Sequence, residues 1–554
     1  MDNPATPSPD TRMTQTVNAT DAAGHGRMPT QIKYIIGNEA CERFSFYGMR
    51  NILVPFLIGS ILLGYLPDEV AREGAAKDLF HSFVIGVYFF PLLGGWLSDR
   101  YFGKYNTILW FSLIYCAGHA CLALFESNAT GFYTGLFLIA LGSGGIKPLV
   151  VTFCGDQFDQ SNKSKAKVVF DAFYWIINFG SFFASLLMPR VLESWGPKWA
   201  FGIPGILMFV ATLIFWLGRR EYVNVPPSRG TDPDSFLEVV KSALLRNGHG
   251  TGTFLAGASV VLAAVMLLLW AVSASTGAAV WPQGWGFVIT FCLALGALIA
   301  GIGIGASLQL ERARGRHPDV AIDGVRAVLR ILVVFALVTP FWSLFDQKAS
   351  TWVIQGTKMV VPHEAWWWPS WLVTSATQMQ ALNPLLIMLL IPFNNLVLYP
   401  ALRKMGFQVT SLRRMGWGIG ISALSWVIAG VLQLWLDGGA EVSLAWQTLP
   451  YLLLTFGEVL VSATALEFAY SQAPMAMKGV IMAFWYLTST FGGLWVLLTN
   501  ATVRRPEVVQ WITAQGWTEN AFLMFFFAGF ALVAALAFAA YARAYPMQEN
   551  YRAA

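Results

Sequence analysis

The sequence predicts an all-α polytopic membrane protein of about fourteen spans, ordered as six, two and six. Three observations carry this. Hydrophobic residues make up 56% of the 554 residues and charged residues 12%, more apolar surface than a soluble fold can bury. Apolar runs of the ~20 residues that cross a bilayer recur along the whole chain. Runs such as FLAGASVVLAAVMLLLW, residues 254–270, are apolar on every face, as a lipid-embedded helix must be, whereas the strands of a β-barrel alternate.

Residues 1–31 contain no apolar core ahead of a small-residue cleavage site, so they read as a polar tail and not a cleaved signal. Runs at roughly 32–61, 80–98, 106–125, 130–153, 168–189 and 199–217 then supply six spans in the first unit, 32–218. The Pro-rich NVPPSRGTDPDS opens a linker over 219–327. Inside it, roughly 252–272 and 285–310 are nearly charge-free and read as an inserted hairpin. Gly301 and Gly305 give a small-xxx-small spacing, which suits close helix packing and also arises by chance in a Gly-rich span. Spans at about 328–348, 371–400, 415–436, 445–470, 479–501 and 519–541 fill the last unit, 328–542, before a tail at 543–554.

Basic residues cluster on alternate loops, at Arg100 and Lys104, Lys163, Lys165 and Lys167, Arg219 and Arg220, Arg312, Arg314 and Arg316, and Arg403, Lys404, Arg413 and Arg414. Basic loops are retained in the cytosol, so both termini are expected there. A net charge of +5 spread over short loops points to no nucleic-acid partner. The five cysteines, all in or beside spans, show no zinc spacing or disulfide framework and read as reduced.

The first span carries NEACERFSFYG, residues 38–48, with Glu39, Glu42 and Arg43 close together. At 100° per residue, Glu39, Glu42, Arg43, Tyr47 and Arg50 fall within an arc of about 140°. Each charge near the bilayer centre costs about 2.5 to 3.5 kcal/mol, so this stripe faces a protein interior or a wet cavity. A purely structural Glu39–Arg43 pair is the competing reading, but it leaves Glu42 and Arg50 without local partners. Lys147, Asn178, Asp346, Asn383 and Glu458 stand as isolated polar groups on five further spans. A cavity between the two halves would let them meet, and exchangeable ion pairs lining such a cavity are what a carrier needs.

These residues carry a resemblance. Glu39-Ala-Cys-Glu42-Arg43-Phe44-Ser45-Phe46-Tyr47-Gly48 resembles the first-helix signature of the proton-dependent oligopeptide transporters in the major facilitator superfamily, with Phe46 at a frequent tyrosine. Phe173 to Ser181 resembles the fifth-helix signature, and GGWLSDRYFGK, with Asp99, Arg100, Gly103 and Lys104, resembles the superfamily loop between helices 2 and 3. In that loop Asp99 is expected to brace a neighbouring helix end.

The resemblance implies a major facilitator fold and proton-coupled import of di- and tripeptides by alternating access, in a bacterial inner membrane. The lipid bilayer is the remaining partner, and a monomer is expected. No metal or organic cofactor is expected; protons are the coupling ion. A zwitterionic peptide would present its carboxylate to Arg43, Arg50 and Lys147, Arg matching it with a fork of donors. Its ammonium would meet Glu458, Asn178 and Asn383, with Ser462 one turn beyond. Tyr47, Tyr88, Tyr174, Trp342 and Trp485 would line the pocket, against the plain alternative of aromatic packing. Glu39, Glu42, Arg43, Lys147 and Asp346 would couple protons, with Arg50 and Asp346 pairing at the outer gate. His81 stands where some members bear a functional histidine; the alternative is an interfacial histidine. Rival functions are a carrier of nitrate or of an amino acid derivative, a transport-dead sensor, and a membrane-embedded enzyme, for which no metal cluster, nucleophile elbow or phosphate loop stands out.

Overall fold

The protein is described as a computed structural model over residues 28–158, 162–227, 233–245, 250–282, 285–407, 409–472 and 477–546. The expected tails lie outside these residues up to 27 and from 547, as do the side chains of Lys163 and Lys167. The helices are α1 Ile32–Phe56, α2 Glu69–Leu97, α3 Gly103–Leu124, α4 Ala129–Gly155, α5 Lys163–Trp195, α6 Pro197–Leu217, α7 Phe236–Leu245, α8 Thr251–Thr276, α9 Phe287–Gln309, α10 Asp319–Gln347 and α11 Thr351–Thr357. They continue as α12 Leu382–Phe393, α13 Tyr399–Lys404, α14 Ser411–Asp437, α15 Thr448–Gln472, α16 Lys478–Val503, α17 Pro506–Ala514 and α18 Glu519–Ala544. No strand is formed among the described residues beyond two isolated bridges.

Among the described residues thirteen helical runs are long and apolar enough to cross a membrane. One of them, Glu69–Leu124, has 56 residues, about 84 Å at 1.5 Å per residue and too long for one crossing. Gly103, at φ 74°, breaks it between α2 and α3, so the run holds two spans and the described residues fourteen. Polar side chains start several helices: Asp68 accepts from the Ala71 N–H, Asn128 from Gly131 and Thr518 from Ala521.

One core lies among α1 to α6, around Phe56, Phe132 and Phe201. Another lies among α10 to α18, around Trp352, Trp426, Tyr451 and Phe527. The two halves meet along α2 against α16 and α5 against α12. The α8–α9 hairpin packs on itself and touches the bundle chiefly through α16. Its glycines are needed there: a Cβ on Gly301 would run into the Ser259 side chain, and one on Gly305 into the Gly252 carbonyl.

Three expectations are corrected. The span expected at about 328 begins at Asp319 after Pro318, because its first turns are amphipathic, with Asp323 and Arg326 paired on the surface. The span expected from about 371 begins at Ala376, since the Gln378 side chain accepts the Thr374 and Ser375 N–H groups and holds them in a turn. In the α2–α3 loop it is Lys104 that braces a helix end, its Nζ 2.5 Å from Asp156 Oδ2 at the close of α4.

Candidate functional site

The charged stripe of α1 is buried: Glu39 and Glu42 are at most 1% exposed. Arg43 Nε lies 2.6 Å from Glu39 Oε1 and 2.8 Å from Glu42 Oε2. The Glu39–Arg43 pair therefore exists, but Glu42 shares it; Glu39 Oε2 is buried without a hydrogen-bond donor among the described residues, and the buried Tyr115 hydroxyl lies beside Glu42. Two carboxylates share one guanidinium. Lys147 stands nearby on α4, its ammonium 3.7 Å from the Phe46 ring centroid and 4.8 Å from that of Tyr88, within Coulombic reach of Glu42.

Beside this stripe a cavity of about 230 Å³ opens between the halves. The first half lines it with Tyr47, Arg50 and Asn51 from α1, Tyr88 from α2, and Tyr174, Asn178 and Ser181 from α5. The second half supplies Trp342, Phe345, Asp346 and Lys348, then Gln380 and Asn383, then Glu458 and Ser462 from α15. Asn383 Nδ2 donates to Glu458 Oε2 at 2.6 Å and to Thr455 Oγ1 at 3.1 Å, so the amide fixes the carboxylate. Asn178 donates to the Tyr174 carbonyl of its own helix at 2.9 Å and lines the cavity beside Tyr174. Ser462 Oγ and Trp342 Nε1 are buried with no hydrogen-bond partner among the described residues.

Arg50 Nη2 donates to Asp346 Oδ1 at 2.9 Å, and Ser489 Oγ donates to Asp346 Oδ2 at 3.2 Å. This joins α1 to α10 on the side of the cavity away from the basic loops. One face of α2 extends the closure. Glu73 meets Lys358 at 2.7 Å, Lys77 donates to Asn520 Oδ1 at 2.8 Å, Arg504 clasps Asp78, and His81 Nε2 lies 3.1 Å from Ser350 Oγ. His81 is fully buried, against Ser350 of the other half. Two larger clefts, about 570 and 490 Å³, lie toward that end and contain none of the stripe residues.

The expected pocket residues Tyr47, Tyr88, Tyr174, Trp342 and Ser462 thus share one cavity with Arg50, Asn178, Asp346, Asn383 and Glu458. Three expected residues do not line it. Trp485 stands one layer back, its ring 5.8 Å from Trp342 and 5.4 Å from Phe335. Arg43 is held by its two glutamates, and Lys147 sits against the Phe46 and Tyr88 rings. Sequence reasoning missed Lys348. Its signal was present in FDQKAST, two positions beyond Asp346, but an ammonium at a helix end reads as an ordinary capping or interfacial charge.

The sequence profile of the POT family matches residues 105–518, and that of the MFS/sugar transport proteins matches residues 9–196. Peptide transporter 3 of Caenorhabditis elegans is 31% identical over 422 residues, which are 73% of this chain and 51% of that protein. The chain spans about half the length of the curated relatives it matches. Two crystal structures are similar over nearly their whole length. That of an auto inhibited POT family peptide transporter is 63% identical at a TM-score of 0.87, covering 95% of this chain and 99% of that one. That of the POT family transporter PepTSo is 61% identical at 0.87, covering 95% and 100%.

Proposed function

The chain belongs to the POT family, a family of transporters and not enzymes, and we propose on that premise that it is a proton-coupled symporter importing di- and tripeptides by alternating access. The observation that carries this is the juxtaposition of the buried Glu39, Glu42 and Arg43 cluster on α1 with a cavity lined by both charge signs. A zwitterion presents one carboxylate and one ammonium whatever its side chains, so a dipolar cavity recognises many peptides by their ends. A nitrate site would have no use for Glu458.

In this reading Glu458, fixed by Asn383 and helped by Asn178 and Ser462, receives the peptide ammonium. Arg50 contributes to the carboxylate pole inside the cavity, with Arg43 and Lys147 behind the Phe46 wall as a reserve. A proton on Glu39 or Glu42 removes one of the two carboxylates that hold Arg43 and loosens the cluster. A proton on Asp346 weakens its bond to Arg50 and lets the closed end part. Units 32–218 and 319–542 rock against each other, and the hairpin rides outside. The carrier works as a monomer, because one chain supplies the whole cavity, in a bacterial inner membrane with both termini cytosolic, as the basic loops require. Purified protein in liposomes should concentrate labelled dialanine under an inward proton gradient and stop when a protonophore is added. Accumulation indifferent to the protonophore would refute proton coupling.

A further inference from the structure

Residues 362–375 connect the spans Asp319–Thr357 and Ala376–Lys404 at the end away from the basic loops. Four tryptophans stand there within six positions, Trp366, Trp367, Trp368 and Trp371. Trp368 turns inward, its Nε1 donating to the Val373 carbonyl at 3.2 Å. The other three point outward: Trp366 is 95% exposed, Trp371 78% and Trp367 56%. From Ala365 to Leu402 the chain carries no Asp, Glu, Lys or Arg, so no charge interrupts this surface.

The connection is a built loop. The Trp368 N–H donates to the Ala365 carbonyl at 2.9 Å, and the Leu372 and Val373 N–H groups both donate to the Pro369 carbonyl at 2.8 Å. The Ser370 hydroxyl donates to the His363 carbonyl at 2.8 Å. With these backbone groups paired inside the loop, what it offers outward is chiefly indole. An apolar patch on a well-ordered loop marks a contact surface.

The position of the patch identifies the partner. Both ends of the loop are ends of spans. The exposed Trp195 and Trp199 stand at a further junction, between the spans Val168–Trp195 and Pro197–Arg220. The loop is seated against this corner of the first half: the Arg190 guanidinium donates to the Trp371 carbonyl, and Gln378 Nε2 donates to the Leu186 carbonyl at 2.8 Å. Tryptophans at span ends lie at headgroup level, with the ring in the apolar boundary and the N–H toward water.

We propose that residues 362–375 are a membrane anchor, whose Trp366, Trp367 and Trp371 insert into the headgroup region of the leaflet away from the basic loops. The anchor belongs to the second half and is held on the first through Arg190, so lipid grips the carrier where its two halves meet. The proposal is independent of what the carrier transports.

The test is spin-label accessibility in liposomes. The full chain is labelled as Trp366→Cys, as Trp371→Cys and, for comparison, as Glu507→Cys, a residue whose side chain is 74% exposed at the same end. Each tryptophan variant keeps the other two outward indoles. The native cysteines are buried or half-buried, and wild type treated with the label gives the background. Collision rates are measured with oxygen, which concentrates in lipid, and with a water-soluble nickel chelate. The oxygen-to-nickel ratio at positions 366 and 371 should be several-fold higher than at 507. A ratio at either position no higher than at 507 would place the loop in water and overturn the proposal. So would labels that meet neither reagent, since protein and not lipid would then cover the patch.

Discussion

Replacing Glu458 by glutamine removes one charge and keeps the shape. Glu458 Oε2 accepts from Asn383 at 2.6 Å, and a glutamine carbonyl can accept the same bond, so the cavity wall should hold. A peptide ammonium would then lie against a neutral amide in a buried site. Losing a desolvated charge partner costs on the order of 2 to 5 kcal/mol, a drop of roughly 30-fold or more in affinity. The assay is competition between labelled and unlabelled dialanine on purified protein, repeated with N-acetyl-dialanine, which carries no ammonium. Dialanine should weaken by that factor, while the already poor binding of the acetylated peptide should hardly change. An equal loss for both ligands would place Glu458 in folding or in proton handling and withdraw it as the ammonium site.

Three further outcomes are expected. Glu42→Gln removes one of the two acids that share Arg43; it should abolish gradient-driven uptake but spare peptide counterflow, and concentrative uptake at the wild-type rate would move the proton elsewhere. Asp346→Asn should loosen the closed end by weakening the hold on Arg50. Spin labels at the exposed Leu63 and Trp371 should report longer separations by electron resonance, and an unchanged distance distribution would refute the gate assignment. Deleting residues 251–309 with a short replacement linker should lower expression more than transport per molecule, since α8 and α9 carry none of the cavity lining; a well-folded deletion that no longer binds peptide would contradict this.

The sequence makes some features legible and hides others for physical reasons. Spans are legible because lipid admits only long apolar helices, and the stripe from Glu39 to Arg50 because one helix fixes the angular order of its residues. The same rule leaves distances between helices undefined. Trp342 and Trp485 look alike in the sequence, yet Trp342 faces the cavity and Trp485 backs it. Lys348 escaped notice because an ammonium at a helix end reads as a cap, while its burial against the Phe345 ring shows only in the packed structure. The α2 face of Glu73, Lys77 and Asp78 reads as the solvated start of a helix. Its partners Lys358, Asn520 and Arg504 lie in the other half of the chain. Arg50 and Asp346 stood out as opposite charges in apolar spans of the two halves, but only the packed structure sets the 2.9 Å between residues 296 positions apart.

If protons and peptides share one carrier cycle, linkage must run in both directions. The most direct measurement is the reverse flux: protein in liposomes loaded with a pH-sensitive dye, no initial pH difference, the membrane potential clamped, and dialanine added outside. The account predicts that the lumen acidifies on dialanine addition, that N-acetyl-dialanine amide does nothing, and that Glu42→Gln abolishes the signal. Dialanine entering at the wild-type rate with no acidification would contradict it.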